Sequence, residues 1–193
     1  MLRSLYDWTL AKAAGPGAER WLIGISFADS SFFPVPPDIM QIPMSIARPE
    51  NSLRYAAVST IASVAGALLG YVIGALLYQT VGVPLLELYG YQDRFVAFAA
   101  DIKANGFLWM LAFAFLPIPY KVATIAAGSV SLSIPVLIVA SILGRGGRFF
   151  LVALVLRRFG AKAQELIDRY FNTLALVATA LFVGGFVVVK YAF

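Results

Sequence analysis

Residues 55 to 79 read YAAVSTIASVAGALLGYVIGALLYQ, an apolar run without one charged side chain. About 20 apolar residues in helical form cross the roughly 30 Å hydrocarbon core of a bilayer. Lipid offers the backbone no hydrogen-bond partners, so a single run of this length spans only as a helix. That makes the chain an integral membrane protein, and the composition agrees, with 61% hydrophobic and 13% charged residues. Two further stretches approach spanning length, 135 to 158 (PVLIVASILGRGGRFFLVALVLRR) and 171 to 189 (FNTLALVATALFVGGFVVV). The expected fold class is all-α integral membrane, one membrane domain over residues 1 to 193. At the start, Leu2, Leu5, Tyr6, Leu10 and Ala13 share one helical face with Arg3, Asp7 and Lys12 elsewhere. This predicts an interfacial helix within 1 to 20 that ends at Gly15-Pro16-Gly17. No continuous apolar core leads to a small-residue cleavage site, so the segment is not read as a signal peptide.

The chain has no Cys and no His. Disulfides, thiolate chemistry, imidazole acid/base catalysis and most transition-metal sites are thereby excluded, and neither a cofactor nor a metal is expected. Chemistry is left to carboxylates, amines, guanidiniums and backbone.

Two other apolar segments are interrupted. Residues 21 to 47 contain FFPVPPDIMQIPM, in which Pro34, Pro36 and Pro37 part a 12-residue stretch from a 9-residue one. At 1.5 Å per residue neither half crosses the hydrocarbon alone. Residues 107 to 131 repeat the arrangement, with FLWMLAFAFL, then PIPYK, then VATIAAGSVSLS, broken at Pro117 and Pro119. Proline removes a backbone donor and blocks helix continuation, so each P-x-P marks a break. Such backbone is tolerated at membrane depth only when buried in protein or lining a wet cavity. PVPPDIMQI and PIPYKVATI align at a constant offset of 83, with Asp38 falling on Lys121. Each break is followed by a polar turn and a span, 55 to 79 and then 135 to 158. This predicts an inverted repeat of re-entrant helical hairpin plus transmembrane helix. Residues 80 to 106, with alternating apolar and charged positions, form the expected amphipathic connection.

Gly66, Gly70 and Gly74 make a small-xxx-small stripe on the first span, whose plain role is to let another helix pack closely. Gly144, Gly146 and Gly147 open backbone access beside Arg145 and Arg148 in the second span, and Gly144 is also expected to serve helix packing. Arg3, Lys12, Arg20, Arg48, Arg54, Arg157, Arg158, Lys162 and Arg169 fall on one side if both broken segments are hairpins, against Arg94, Lys103 and Lys190 on the other. The positive-inside rule then makes the first side, with the N-terminus, cytoplasmic. RRFGAKAQELIDRYF, which follows the second span, reads mainly as part of that bias.

Asp29, Asp38, Lys121, Arg145 and Arg148 all fall at membrane depth, where ionisable groups are costly enough to mark function. Arg145 and Arg148 are three apart on one helical face. One reading is a structural network in which Asp38 pairs with Lys121 or an Arg to hold the hairpin tips together. The other is a polar chamber with surplus positive charge, in which Lys121, Arg145 and Arg148 bind an anionic phosphate head group. Burial opposes ionisation of a carboxyl and nearby cations favour it, so Asp29 or Asp38 is where a coupling or gating proton would sit.

FADSSFFPVPPDIMQIPMSIARP, PIPYKVATIAAG and GRGGRFF resemble the DedA superfamily, also known as the VTT or SNARE-associated Golgi protein domain, in its YqaA-like bacterial branch. The resemblance covers residues 20 to 160. It implies two opposed re-entrant hairpins with transmembrane helices, a bacterial inner-membrane location, and movement of lipids between leaflets, including carrier-lipid phosphates such as undecaprenyl phosphate, often driven by the proton-motive force. The family's acid before the first break, usually Glu, matches Asp29, and the acid after it matches Asp38. Better-studied members carry Arg three residues either side of the second-break proline. This chain has Ala114 and Tyr120 there, with the cation displaced to Lys121, as in the YqaA-like branch, whose G-R-x-x-R-F-F is matched by Gly144, Arg145, Arg148, Phe149 and Phe150.

The expected function is therefore a flippase- or scramblase-like lipid transporter. Its partners would be anionic membrane lipids and protons, with no nucleic acid, and a homo-oligomer is compatible with the sequence. Alternatives are a small-ion transporter and a membrane-homeostasis or assembly factor that binds lipid without moving it. The cation surplus argues against a cation pore. An enzyme is not expected, because rhomboid-type and lipid-phosphatase chemistries use His and no D-G-x-x-A-R run marks a phosphatidyltransferase.

Overall fold

A computed structural model describes residues 15, 17–33, 35–89, 92–115, 120–160 and 162. The expected interfacial helix, Pro34, Pro117, Pro119 and the 171 to 189 span lie outside these residues or largely so. The elements among the described residues are helical. In chain order they are α1 (Ala18–Ser31), α2 (Asp38–Ala47), a 3₁₀ turn (Pro49–Asn51), α3 (Ser52–Leu77), a π-helical turn (Tyr78–Gly82), α4 (Val83–Tyr89), α5 (Gln92–Phe115), α6 (Tyr120–Ser129) and α7. α7 starts as Ile134–Ser141 and continues through a π-helical segment, Ile142–Gly146, to Gly160. Three helices among the described residues are long and apolar enough to cross a membrane: Pro49–Gly82, Phe95–Phe115 and Ile134–Gly160.

The prolines interrupt the first apolar segment where expected. α1 stops at Ser31, and the Phe32 and Phe33 amides both donate to the Ala28 carbonyl. α2 begins directly after Pro37, whose φ of −59° is already that of a helix start. With 14 and 10 residues, α1 and α2 are about 21 Å and 15 Å long, each shorter than the hydrocarbon core. Ala18 and Leu22 of α1 share a buried cluster with Met40 and Met44 of α2 and Tyr55 of α3. The start of α1, the end of α2 and the start of α3 thus meet at one end of the molecule, where Arg54 also pairs with Glu19 at 3.1 Å. α2 reverses the chain, so α1 and α3 run side by side in the same direction, with Ser26 opposite Ser63 and Ser30 opposite Gly70.

In the second half, contacts fix how α5, α6 and α7 lie together. Leu132, just past α6, packs against Gly106, while α6 starts only a few residues after α5 ends. Gly144 of α7 lies on Leu111 and Ala114 of α5. α7 therefore runs beside the second limb of α5, as α3 runs beside α1. Against α3 it runs the other way: Gly146 meets Thr60, Phe149 and Ala153 pack with Ala56 and Leu53, and Gly160 approaches Pro49.

The glycine stripe is where both halves touch α3. A Cβ on Gly66 would collide with the Phe27 carbonyl of α1, and one on Gly74 with the Ile125 carbonyl of α6. Gly128 of α6 meets the Tyr71 carbonyl in the same manner. Ala67, Ala123, Ala127, Met110, Phe113 and Leu137 fill the larger buried cluster around these contacts. The expected connection contains the end of the π-helical turn, α4 and the first part of α5, and α5 is itself two helical limbs that meet at a kink at Asn105 (φ −127°, ψ 32°). Asn105-Gly106 is a local breaker, and it parts the connection from the first limb of the second broken segment.

Candidate functional site

The polar site forms where the first break meets α7. Arg145 Nη2 donates to Asp29 Oδ2 at 2.6 Å, and Arg148 Nη2 donates to Asp38 Oδ2 at 2.6 Å. Two acids flanking one proline break are thus bound by two cations from the other half of the chain. Asp29 sits in the last turn of α1 and Asp38 at the first residue of α2, so the break itself sets their separation. The π-helical segment widens the backbone helix at Ile142–Gly146 and carries Arg145. Such bulges are uncommon and recur at functional sites.

The two pairs differ in access. The Arg145 and Asp29 side chains are 4% and 11% exposed, those of Arg148 and Asp38 27% and 16%. Arg145 is also enclosed by aromatic faces, its guanidinium carbon 4.7 Å from the Phe149 ring centre and 5.6 Å from that of Tyr120. Aromatic faces partly offset the loss of water around a cation. Tyr120 is fully buried and shares a 2.6 Å hydrogen bond with the Ser141 hydroxyl. The inner pair is therefore an enclosed contact, whereas the outer pair has an open side.

Of the residues picked from sequence, Asp29, Asp38, Arg145 and Arg148 converge. Asp38 takes Arg148 as its partner rather than Lys121. Lys121 is partly exposed at the start of α6, and its ammonium has no ion pair among the described residues. Gly144 serves packing against α5, and the stripe at Gly66, Gly70 and Gly74 serves packing against α1 and α6. Pro36 and Pro37 occupy the described part of the first break.

Other residues at the site were not singled out from the sequence. Gln41 is fully buried and its Nε2 donates to the Phe149 carbonyl at 2.9 Å, tying α2 to α7. Thr124 Oγ1 bonds the Ser30 carbonyl at 3.0 Å, tying α6 to the end of α1. Asp38, Gln41 and Ser45 follow one helical face of α2, and that spacing of polar residues in an apolar segment is the signal that marks Gln41. No group of acidic residues able to hold a metal ion occurs among the described residues.

Comparison with known proteins finds two bacterial relatives of nearly the same length. One, an "Uncharacterized protein" of Haemophilus influenzae, is 34% identical over 170 residues, 86% of this chain and 88% of the relative. The other, "Uncharacterized protein HI0703 homolog" of Histophilus somni, is 30% identical over 183 residues, 93% of this chain and 95% of the relative. No family model matches, and no solved structure matches.

Proposed function

The chain belongs to the family of the Haemophilus influenzae protein and the Histophilus somni HI0703 homolog, and we propose that it passes a phosphate-bearing lipid head group between the leaflets of a bacterial inner membrane. The observation that carries this reading is the Arg148–Asp38 pair. It joins the first break to the long α7 helix, is charged, and stays partly open. A phosphate can replace the Asp38 carboxylate on the Arg148 guanidinium, because both present paired oxygens to the same fork of donors. Lys121 supplies the surplus charge at the second break. Arg145, enclosed by Asp29, Tyr120 and Phe149, holds the frame of the chamber and adds its field to it.

The architecture supports this reading through the same contacts. Two short broken segments, each followed by a helix that returns alongside its first limb, are read as an inverted repeat of re-entrant hairpins entering from opposite faces. In that reading the limb ends that carry Asp29, Asp38 and Lys121 lie at the depth where a head group must change leaflet. The resemblance of FFPVPPD, PIPYK and GRGGRFF to the DedA superfamily supports the lipid class, and undecaprenyl phosphate and phospholipids are the substrates to try first.

The test is leaflet exchange of labelled anionic lipids, undecaprenyl phosphate included, in proteoliposomes with and without a pH gradient. Wild type is expected to exchange lipid, while Asp38→Asn and Arg148→Ala lose most of the exchange. Dependence on the gradient marks proton-driven transport. Folded wild type that exchanges none of these lipids overturns the proposal in favour of an ion transporter or an assembly factor.

A further inference from the structure

Six buried polar atoms find no hydrogen-bond partner among the described residues: the hydroxyls of Ser26 and Ser30 on α1, Gln41 Oε1 and the Ser45 hydroxyl on α2, the Ser59 hydroxyl on α3, and Arg145 Nε on α7. Native structures leave few such atoms, because each one forfeits the hydrogen bonds it made in water. A serine or threonine in a helix has a partner close by, the carbonyl three or four residues back. Ser31 bonds the Phe27 carbonyl at 2.8 Å, Thr60 that of Ala56 at 2.7 Å, and Ser141 that of Leu137 at 2.6 Å. Ser26, Ser30, Ser45 and Ser59 do not take this bond.

These atoms are not scattered. Ser45 stands beside Ser52, whose hydroxyl donates to the Ser45 carbonyl at 3.5 Å, at the end of the molecule that carries Glu19 and Arg54. Gln41 is one turn further in on α2. Ser59 is one turn before Ser63, which donates to the Ser26 carbonyl at 3.3 Å. Ser26 in turn lies one turn before Asp29 and Ser30. The polar groups thus form a seam between α1, α2, α3 and α7 that leads from one end of the molecule to the Asp29–Arg145 pair. Beyond Ser30 no unpartnered atom follows among the described residues: the buried Thr124 hydroxyl of α6 is held on the Ser30 and Lys121 carbonyls at 3.0 Å. There α3 and α6 touch backbone to backbone at Gly74 and Gly128, surrounded by Ala67, Ala123 and Ala127.

We propose that a file of water molecules occupies this seam, running from the Glu19–Arg54 end to Asp29 and no further, so that Asp29 exchanges protons with one face of the membrane only. Each water in such a file needs two to four polar partners, and the orphaned atoms together with neighbouring carbonyls supply them. The proton comes from bulk water at that face, binds a carboxylate oxygen of Asp29 to give the neutral acid, and leaves by the same route. The charged and titratable groups facing Asp29 are Arg145 of α7, with Asp38 of α2 and Arg148 of α7 beyond it; Tyr120 of α6 stands against Arg145. Protonation adds one positive charge to the chamber and frees Arg145, which favours phosphate entry. That consequence rests on the lipid reading, whereas the water file does not.

The chain has no native cysteine, so single thiols report the seam directly. Ser26→Cys, Ser45→Cys and Ser59→Cys exchange one atom for a larger one, and Ala67→Cys and Ala127→Cys serve as dry controls. Full-length protein in orientation-sorted vesicles is exposed to silver ion from one side, and the thiols left unmodified are counted with maleimide after denaturation. Seam thiols are expected to react at least about tenfold faster than the controls, which react only on transient opening, and only from the Glu19–Arg54 side. Seam thiols no faster than Ala67→Cys, or equally fast from both sides, overturn the proposal. Any one folded seam variant decides it. No lipid exchange is measured, so failure here leaves the transport reading standing, and failed lipid exchange leaves this result standing.

Discussion

At the scale of single residues, the two ion pairs carry unequal weight. Arg145 and Asp29 have exchanged water for each other, and removing one partner strands the other charge. Arg145→Met is expected to cost about 3–5 kcal/mol of stability, as for other broken buried pairs. The double variant Asp29→Leu/Arg145→Met removes both charges and should regain most of that loss. Arg148→Met should cost well under half as much, because the outer pair is partly hydrated. Denaturation of the purified variants in mixed micelles measures all three. A double variant no more stable than Arg145→Met alone would show that the pair's geometry, not its charge balance, is what the fold needs. Asp29, Asp38, Arg145 and Arg148 were legible in the sequence because an ionised group in an apolar segment stands out by its cost. Their partners were not legible, since Asp29 and Arg145 are 116 positions apart. The seam serines were missed for another reason. A serine in a membrane helix is common, and only the fold reveals which hydroxyls lack the carbonyl behind them.

At the scale of elements, α3 is the shaft against which both halves pack, and its glycines decide how closely. Gly66 and Gly74 each face a carbonyl of a neighbouring helix, so a side chain there has nowhere to go without parting two backbones. Gly74→Val is therefore expected to abolish a monodisperse folded species on size-exclusion chromatography. Gly24→Val on α1, with nothing within 4 Å of its added Cβ, should leave the profile unchanged. Equal behaviour of the two variants would contradict close packing at the stripe. The stripe itself was legible from spacing, and so was the first proline break. What the spacing did not disclose is that one stripe serves two partners, α1 at Gly66 and α6 at Gly74.

At the scale of the whole molecule, the contacts set which residues share an end. Glu50, at the turn before α3, and Lys162, just past α7, belong to one end, and Ser131 and Ser133, before α7, to the other. Single cysteines at these four sites, treated in sealed vesicles with a membrane-impermeant maleimide, are expected to label in two groups from opposite sides. Glu50→Cys and Ser133→Cys labelling from the same side would rule out the opposed arrangement of the two halves.

The sequence by itself determined the membrane class, the position of the first break and the identity of the charged groups. Those are properties of local composition: hydrophobic length, the missing proline N–H and the cost of a charge in lipid. Only the tertiary structure decided that Arg148 rather than Lys121 answers Asp38, that Arg145 is enclosed while Arg148 stays open, and that unpartnered hydroxyls line up toward Asp29. Those depend on which faces meet across more than 100 residues of chain, and packing between distant segments is not written in the spacing of either one.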